Sequence, residues 1–116
     1  MIAAPFWDLS FPACLKVYFE NILVSDLTFA YKGGRPVGLC RAERLFYVTT
    51  AGGALSPDFG FPYVRTLATG FFGIPEVRCF GVEGLDIIGN DADRIMQDAK
   101  AKIPVNSTVG SAIHKK

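Results

Sequence analysis

Histidine and cysteine, the residues that build most metal and nucleophilic sites, are scarce in this sequence. The 116 residues include one histidine, His114, near the end of the chain, and three cysteines. Cys14, Cys40 and Cys79 are widely separated, and none has a CxxC partner. This pattern argues against a histidine-based zinc site, a Ser-His-Asp triad and a disulfide framework. It indicates buried free thiols in a reducing compartment instead.

Excess charge and long apolar runs are missing as well. The net charge is +1 at pH 7, and no basic run occurs before Lys115 and Lys116. Nucleic acid is therefore not expected as a partner, because phosphate neutralisation needs clustered Lys and Arg. No apolar run is long enough to span a membrane, and Pro5 and Asp8 interrupt the apolar N-terminus, so we expect no signal peptide. The sequence predicts one soluble cytoplasmic domain with a single modest core.

The most informative stretch runs from Ile2 to Leu9. Its first three residues are small or branched and apolar, which is typical of the end of a buried strand. Pro5 then removes a backbone donor and ends the strand. Phe6, Trp7, Asp8 and Leu9 follow in the loop before the next helix. In an open α/β sheet such a loop lies at the carboxyl ends of the strands, where ligands bind. We therefore take this loop as the candidate site.

A helix is predicted after this loop, with Ser10 as its cap and Pro12 in its first turn. Apolar residues at three- and four-residue steps give it one face that packs on the sheet. These residues are Leu15, Tyr18, Phe19, Ile22 and Leu23. The following segment is rich in glycine and has no steady period, so it predicts an excursion with a short ribbon through Thr28–Tyr31.

Two further strands and two further helices are predicted in the second half of the chain. Leu45–Thr50 is apolar, aromatic and β-branched, which is typical of a parallel strand covered on both faces. It leads into a second flexible loop, Ala51-Gly52-Gly53. A helix begins at Pro62, with Tyr63, Leu67 and Phe71 on one face, and ends at Gly73 and Pro75. A strand over Val77–Val82 and a helix over Asp91–Ile103 complete the pattern, with Ile95, Met96 and Ala99 of that helix facing inward.

The alternation of strands and helices predicts an α/β fold with a parallel sheet and crossover helices. Residues 1–104 form the predicted domain, and residues 105–116 form a polar, flexible tail. The first strand begins the chain with nothing before it to pair on its other edge. It is therefore expected to be an interior strand of a larger sheet.

Four stretches together resemble the flavodoxin-like NAD(P)H:quinone oxidoreductases and FMN-dependent NADH-azoreductases. The first is Ala4–Pro12, followed by Leu15-Lys16 and Tyr18-Phe19, and it is similar to the family's Pro-Met-Tyr-Asn-Phe loop and helix. The other three are Thr28–Tyr31 with Gly38-Leu39, Thr49–Gly53, and Gly70–Ile74 with Glu83-Gly84. They agree with the family in order and spacing from Ile2 to Ile103.

The resemblance implies a flavodoxin-like fold, here a truncated version with three strands. It also implies FMN as cofactor, NAD(P)H as electron donor, a small-molecule quinone or azo acceptor, and a homodimer with active sites at its interface. The flavin ring would be bordered by residues from two loops. These are Pro5, Phe6, Trp7, Asp8 and Leu9 on one side and Thr50, Ala51, Gly52 and Gly53 on the other. Because hydride chemistry belongs to the flavin, we expect no catalytic side chain and no metal.

Three departures from the family are expected to weaken the cofactor site. The family's first two strands and its FMN phosphate loop have no counterpart in this chain. A phosphate is normally held at a helix start by charge-assisted hydrogen bonds of about 1.5–3 kcal/mol each. Losing three of them would cost roughly 4–9 kcal/mol, so FMN is expected to bind weakly or not at all. Asp8 in place of Asn and Ala51 in place of Arg make the site more negative.

Two functions therefore remain open. The chain is either part of an FMN-dependent NAD(P)H oxidoreductase or a non-catalytic flavodoxin-like remnant that keeps a dimer surface without the cofactor. The residues leave local alternatives too. Phe6 and Trp7 could be core aromatics, although neighbours leaving a strand point in different directions, so one of them should stay exposed. Gly52 and Gly53 could form a plain turn, and the helix carrying Tyr63 could serve the core or an interface.

Overall fold

The computed structural model describes residues 1–104, so the predicted tail at 105–116 lies outside the described residues. Within residues 1–104 the chain alternates between strands and helices, and the α/β prediction is confirmed. The elements are β1 (Ile2–Pro5), α1 (Ala13–Ile22), β2 (Phe29–Lys32), β3 (Arg35–Gly38), β4 (Arg44–Thr50), α2 (Phe61–Leu67, continued by a π-helical turn at Ala68–Phe72), β5 (Glu76–Val82) and α3 (Ala92–Ala101).

The main sheet of the described residues contains three parallel strands in the order β1-β4-β5. Ile2 pairs with Tyr47 and Pro5 with Thr50, while Tyr47 also pairs with Cys79 on its other side. Within residues 1–104, β1 therefore lies at an edge of the sheet, with one side not paired to any strand. Strand β1 ends at Pro5 as predicted, and the last residue pair of its ladder with β4 is Pro5 with Thr50.

The hydrophobic core lies on one face of the sheet, beneath α1 and α2. Its centre consists of Phe11, Phe19, Tyr47, Val64, Leu67, Ala68, Phe72 and Ile74, all buried. The rings of Phe11 and Phe19 meet edge to face with centroids 5.9 Å apart. Each large apolar side chain buried in this way contributes about 1.5–3 kcal/mol. This face alone gives the described residues their cohesion.

The opposite face of the sheet is only half covered. Phe46, Val48 and Phe80 on that face are partly exposed, and Ala3 is exposed. The only described helix near this face is α3, which contacts β5 and contains no fully buried residue. The prediction that β4 is covered on both faces is therefore wrong for the described residues. Helix α3 is amphipathic, and the predicted inward residues Ile95, Met96 and Ala99 reach only intermediate burial.

Several local predictions need correction. Helix α1 begins after Pro12, and Ser10 does not cap it because its backbone bonds to Trp7 instead. Tyr18 was predicted to lie on the buried face of this helix, but its side chain is mostly exposed. Cys14 is an exposed free thiol, whereas Cys40 and Cys79 are partly buried free thiols. No helix within residues 1–104 is long and apolar enough to cross a membrane.

The buried face of the second helical segment also differs from the prediction. Val64, Leu67, Ala68 and Phe72 are buried, while Tyr63 is exposed and Phe71 is intermediate. The π-helical turn inserts an extra residue per turn, so the periodicity that aligns Tyr63 with Phe71 is lost. The segment ends as predicted at Gly73, which adopts a left-handed conformation with φ of 73°.

The ribbon predicted near Thr28–Tyr31 is an antiparallel hairpin of β2 and β3. Its second strand crosses the end of the π-helical turn at a contact between Gly38 and Gly73. A Cβ atom on Gly38 would collide with the backbone of Phe72 and Gly73. The Cys40 amide also donates to the Phe72 carbonyl at 3.3 Å, and the Phe29 ring of β2 meets the Phe71 ring edge to face at 5.4 Å, so both backbone and side chains fix the hairpin to the helix.

Replacing Gly38 by alanine is therefore expected to destabilise the protein by about 1–3 kcal/mol, the usual cost of overpacking. Gly70→Ala is the matched control, because a Cβ atom there meets no atom within 4 Å. That control should be neutral or stabilising, since alanine is preferred over glycine in helices. Urea unfolding of both variants measures the difference, and equal midpoints would contradict the Gly38–Gly73 contact.

Candidate functional site

The two predicted site loops leave the sheet side by side. Strands β1 and β4 are parallel neighbours, and their last residues, Pro5 and Thr50, are directly paired. The pairing extends one step beyond the ladder, because the Phe6 amide donates to the Thr50 carbonyl at 2.8 Å. The loops after both strands therefore start from one point at the carboxyl edge of the sheet.

The first loop folds into a tight turn from Trp7 to Ser10. The Trp7 amide donates to the Ser10 carbonyl at 2.8 Å, and the Ser10 amide donates to the Trp7 carbonyl at 3.0 Å. Asp8 and Leu9, at the tip, have φ values of 51° and 64°. Left-handed backbone costs roughly 1–2 kcal/mol for a residue with a side chain, although Asp tolerates it better than Leu. Strain of this kind concentrates at functional sites.

The turn presents apolar side chains to solvent. Trp7 is 64% exposed and Leu9 is 62% exposed. Phe6 points elsewhere: it is partly buried, and its ring lies 3.3 Å from where a Cβ atom of Gly60 would be. The expectation that one of the two neighbouring aromatics stays exposed is confirmed. Trp7 is not a core residue, so its large ring is free to meet a partner.

The second loop is tied to the end of β5 by backbone hydrogen bonds. The Ala51 amide donates to Val82 at 2.8 Å, and the Gly52 carbonyl accepts from the Asp86 amide at 2.9 Å. Ala51 itself is buried, so its methyl group points away from solvent. Thr50 is partly buried and Gly53 is exposed, with no atom within 4 Å of where its Cβ would lie.

Asp86 is a site residue that the sequence reasoning missed. A Cβ atom on Gly52 would collide with the Asp86 carboxylate, so a larger residue here would force the exposed Asp86 side chain to move. Glu83 also contributes, because its Oε2 accepts the Leu55 amide at 2.7 Å. The available signal was that Glu83-Gly84 follows a strand whose carboxyl end lies at the same sheet edge.

The edge of the sheet carries unused backbone donors. Within residues 1–104, no oxygen accepts a hydrogen bond from the backbone amides of Asp8, Leu9, Gly52 or Gly53. These amides lie in two loops that diverge from the Phe6–Thr50 hydrogen bond. A flat heterocycle with carbonyl oxygens at its rim is a suitable ligand for such donors, with an apolar ring such as Trp7 against its face. The residues present therefore fit the ring system of FMN.

An open groove of about 780 Å³ adjoins the turn, between α1 and the start of α2. Leu9, Phe59 and Tyr63 are among the residues that line it, and most of the lining surface is apolar. Lys16 lies 5.9 Å from the centre of the Tyr63 ring and forms an exposed ion pair with Glu20 at 2.9 Å. The hydrogen bond to Glu20 raises the pKa of Lys16. The groove is thus a mainly apolar surface whose charged lining residues are Lys16, Asp8 and Asp58.

Acidic side chains dominate the charge of this region. Asp8 and Asp58 line the groove, and Asp86 adjoins the second loop. In the part of the chain that the structure describes, no group of three or more His, Cys, Asp and Glu is placed to hold a metal ion. The arrangement can bind and orient a flat ring, but it contains no nucleophile with an adjacent histidine base.

Comparison with known proteins identifies a matching family model and several relatives of the chain. A family model described as flavodoxin-like fold matches residues 1–104. The chain is 38% identical over 108 residues to an FMN-dependent NADH:quinone oxidoreductase 2 of Clostridium acetobutylicum, covering 88% of this chain and 54% of the relative. It is 42% identical over 92 residues to an FMN-dependent NADH:quinone oxidoreductase of Clostridium perfringens, covering 77% of this chain and 46% of the relative.

Solved structures give the same answer for the fold. A crystal structure of an azoreductase from Bacillus anthracis matches with a TM-score of 0.73 at 26% identity, covering 85% of this chain and 50% of the other. An FMN-dependent NADH-azoreductase of the same species, solved in complex with FMN, matches with a TM-score of 0.74 at 24% identity. The chain spans about half the length of the relatives and structures it matches.

The strained turn predicts an unusual response to glycine. Leu9→Gly removes the left-handed penalty of about 1–2 kcal/mol, partly offset by the entropy glycine loses on folding. We expect a net gain of about 0.5–1 kcal/mol. Leu27→Gly is the control, because Leu27 is similarly exposed but does not have a positive φ, so it should lose stability. The midpoints of urea unfolding, compared at an unchanged m-value, measure these differences in stability. A loss of stability in Leu9→Gly would contradict the proposed backbone strain.

Proposed function

Because this chain belongs to the family of proteins with the flavodoxin-like fold, we propose that it supplies the ring-binding half of an FMN site in an NAD(P)H oxidoreductase. Quinones or azo compounds are the proposed acceptors. The observation that carries the proposal is the hydrogen bond from Phe6 to Thr50, which joins two loops with unused amides and an exposed indole. The relatives named as FMN-dependent NADH:quinone oxidoreductases support the same assignment.

FMN bound at this edge would supply hydride transfer between the nicotinamide donor and the acceptor. The chain's own residues would bind and orient the ring. The amides of Asp8, Leu9, Gly52 and Gly53 can donate to its rim, and Trp7 can cover an apolar face. Leu9 would exclude water from the ring face that Trp7 covers. No side chain is assigned a proton transfer in this role.

The carboxylates of Asp8 and Asp86 oppose negative charge at the proposed site. A buried unit charge a few ångströms away would be worth about 4 kcal/mol at an effective dielectric near 20. Asp8 is exposed, so solvent screening reduces its effect to the range of a surface charge, about 0.2–1 kcal/mol. These residues therefore tune the affinity and the reduction potential of a bound flavin without abolishing binding.

Titration with FMN tests the proposal through Trp7, the only tryptophan of the chain. We expect saturable quenching of its fluorescence emission by FMN. The titration extends to high micromolar FMN, because the 116 residues span only about half of each relative and weak binding is expected. By equilibrium dialysis, Trp7→Ala should bind FMN less tightly with an intact fold, since ring contact is worth roughly 0.5–1.5 kcal/mol. Asp8→Asn should bind about two- to fivefold more tightly.

Tyr31→Ala is the matched control, because Tyr31 is 62% exposed on the hairpin, away from the proposed ring site. Its FMN affinity should equal that of the unmodified chain. Emission from Trp7 that ignores FMN at millimolar concentration would reject the proposed site. The chain would then be better explained as a non-catalytic remnant of the family.

We also propose that a second copy of the chain covers the groove beside the turn. Leu9, Phe59 and Tyr63 expose apolar surface there, and the edge of β1 that pairs with no strand within residues 1–104 offers further backbone groups for pairing. Contiguous exposed apolar surface is typical of association sites. Such a homodimer would place the groove of one chain against the proposed ring site of the other.

Sedimentation equilibrium at micromolar concentration should therefore give a dimer. Phe59→Ser should weaken the association at least tenfold, since it removes a 57% exposed ring from the groove. Leu27→Ser removes a similarly exposed apolar residue elsewhere and should leave the dimer unchanged. A monomer at all accessible concentrations, or equal effects of the two variants, would contradict this assembly.

A further inference from the structure

A small cavity lies under the loop that joins β4 to α2, on the core side of the sheet. Its volume is about 150 Å³. Tyr47, Thr49 and Cys79 line its sheet side, and Phe6, Phe59 and Phe61 are among the residues that line it from the loops and α2. An apolar cavity of about 150 Å³ in another protein is known to admit benzene. The size alone therefore suits one aromatic ring.

The hydroxyl group of Thr49 gives this cavity a specific polar feature. Thr49 is 5% exposed, and its Oγ1 makes no hydrogen bond of standard geometry in the described residues, although it lies close enough to the Tyr47 hydroxyl to offset part of the rise that burial causes in the pKa of that group. A buried hydroxyl without a partner costs about 1–3 kcal/mol, which a ligand can recover by bonding to it. Tyr47 lies two residues earlier on the same face of β4, and Cys79 pairs with Tyr47 across the sheet. The polar atoms of the cavity are thus concentrated on its sheet side.

The cavity has a neutral lining. No Lys, Arg, Asp or Glu side chain lines it. Burial raises the pKa of both the Tyr47 hydroxyl and the Cys79 thiol, so both groups stay protonated at neutral pH. A charged ligand would lose its hydration without gaining an ion pair, whereas a neutral ring with one hydroxyl would not.

In a single chain the cavity can be reached from the groove next to the turn, a route that the second copy proposed above would cover. Phe59 and Pro62 line both the groove and the cavity, so their side chains stand between the two spaces. Ser56 holds this loop in place, because its Oγ accepts the amides of Asp58 at 3.1 Å and Phe59 at 3.2 Å. Phe59 is more than half exposed. A rotation of its side chain would open a route for a ring-sized molecule.

We propose that this cavity binds a neutral single-ring phenol, whose hydroxyl group bonds to Thr49 Oγ1 while its ring packs among Phe6, Phe59 and Phe61. The cavity shares Phe6 and the β4–α2 loop with the surface proposed for FMN but lies beneath it on the core side of the sheet, and the inference does not rest on that function. It assigns a second binding site to the protein, selective for an aromatic ring that carries one uncharged hydrogen-bonding group.

Fluorine NMR with 4-fluorophenol and fluorobenzene tests the site on the full chain. Both probes should bind saturably at millimolar concentration, with 4-fluorophenol about two- to tenfold tighter, as expected for one hydrogen bond. 4-Fluorobenzoate should not bind. In Thr49→Val the preference for 4-fluorophenol should disappear while fluorobenzene still binds, because valine keeps the shape of threonine without its hydroxyl group.

Two controls separate this site from others. Thr69→Val makes the same chemical change at an exposed position of the helical segment, where the Thr69 hydroxyl donates to the Arg65 carbonyl. This variant should bind both probes with unchanged affinity. Trp7→Ala should also leave them unchanged, which excludes binding at the loop proposed for FMN. Failure of both probes to bind, equal binding of 4-fluorobenzoate, or an unchanged preference in Thr49→Val would overturn the proposal. Thr49→Val is expected to fold, because it removes an unpartnered buried hydroxyl.

Discussion

The parallel pairing of β1 with β4 is the constraint on which the rest of this structure depends. Four residues of β1 align with Tyr47–Thr50, and the alignment continues through the bond from Phe6 to Thr50. Because side chains alternate across a strand, this register also decides which residues enter the core. A slip of β1 by one position against β4 would turn Ile2 and Ala4 away from the core and shift the two loops relative to each other. Packing and site geometry are thus set by the same ladder.

The site is formed mainly by backbone, which explains what the sequence could reveal about it. The strands ending at Pro5 and Thr50 were readable from apolar and β-branched runs, and the resemblance to the family placed their two loops on either side of one ring. For Phe6 and Trp7, the sequence predicted only that one of the two side chains would be exposed, and it did not indicate which one. The left-handed conformations of Asp8 and Leu9 were not, because neither residue type signals positive φ as glycine does. Such turns are selected by their surroundings rather than by local propensity.

Other errors have a common cause in tertiary structure. Ser10 is a good capping residue, but its backbone is used by the turn with Trp7, so the helix begins after Pro12 without a side-chain cap. The predicted face of Tyr63 and Phe71 assumes a regular α-helix, which the π-helical turn interrupts. Asp86 was missed because its proximity to Gly52 depends on how the loops after β4 and β5 bond to each other. Periodicity contains no information on any of these contacts.

The contrast between the two faces of the sheet connects stability with function. One face buries aromatic and aliphatic side chains beneath α1 and α2, whereas the other leaves Phe46 and Phe80 partly exposed, with their ring centres 6.1 Å apart. Stability is therefore supplied almost entirely from one side. The site edge and the cavity at Thr49 both lie where that well-packed side reaches the carboxyl ends of the strands. Strain at Asp8 and Leu9 and the unpartnered Thr49 hydroxyl can be tolerated there because the adjacent core holds the strands in register. A polar group or turn of the same kind on the half-covered face would lack that support.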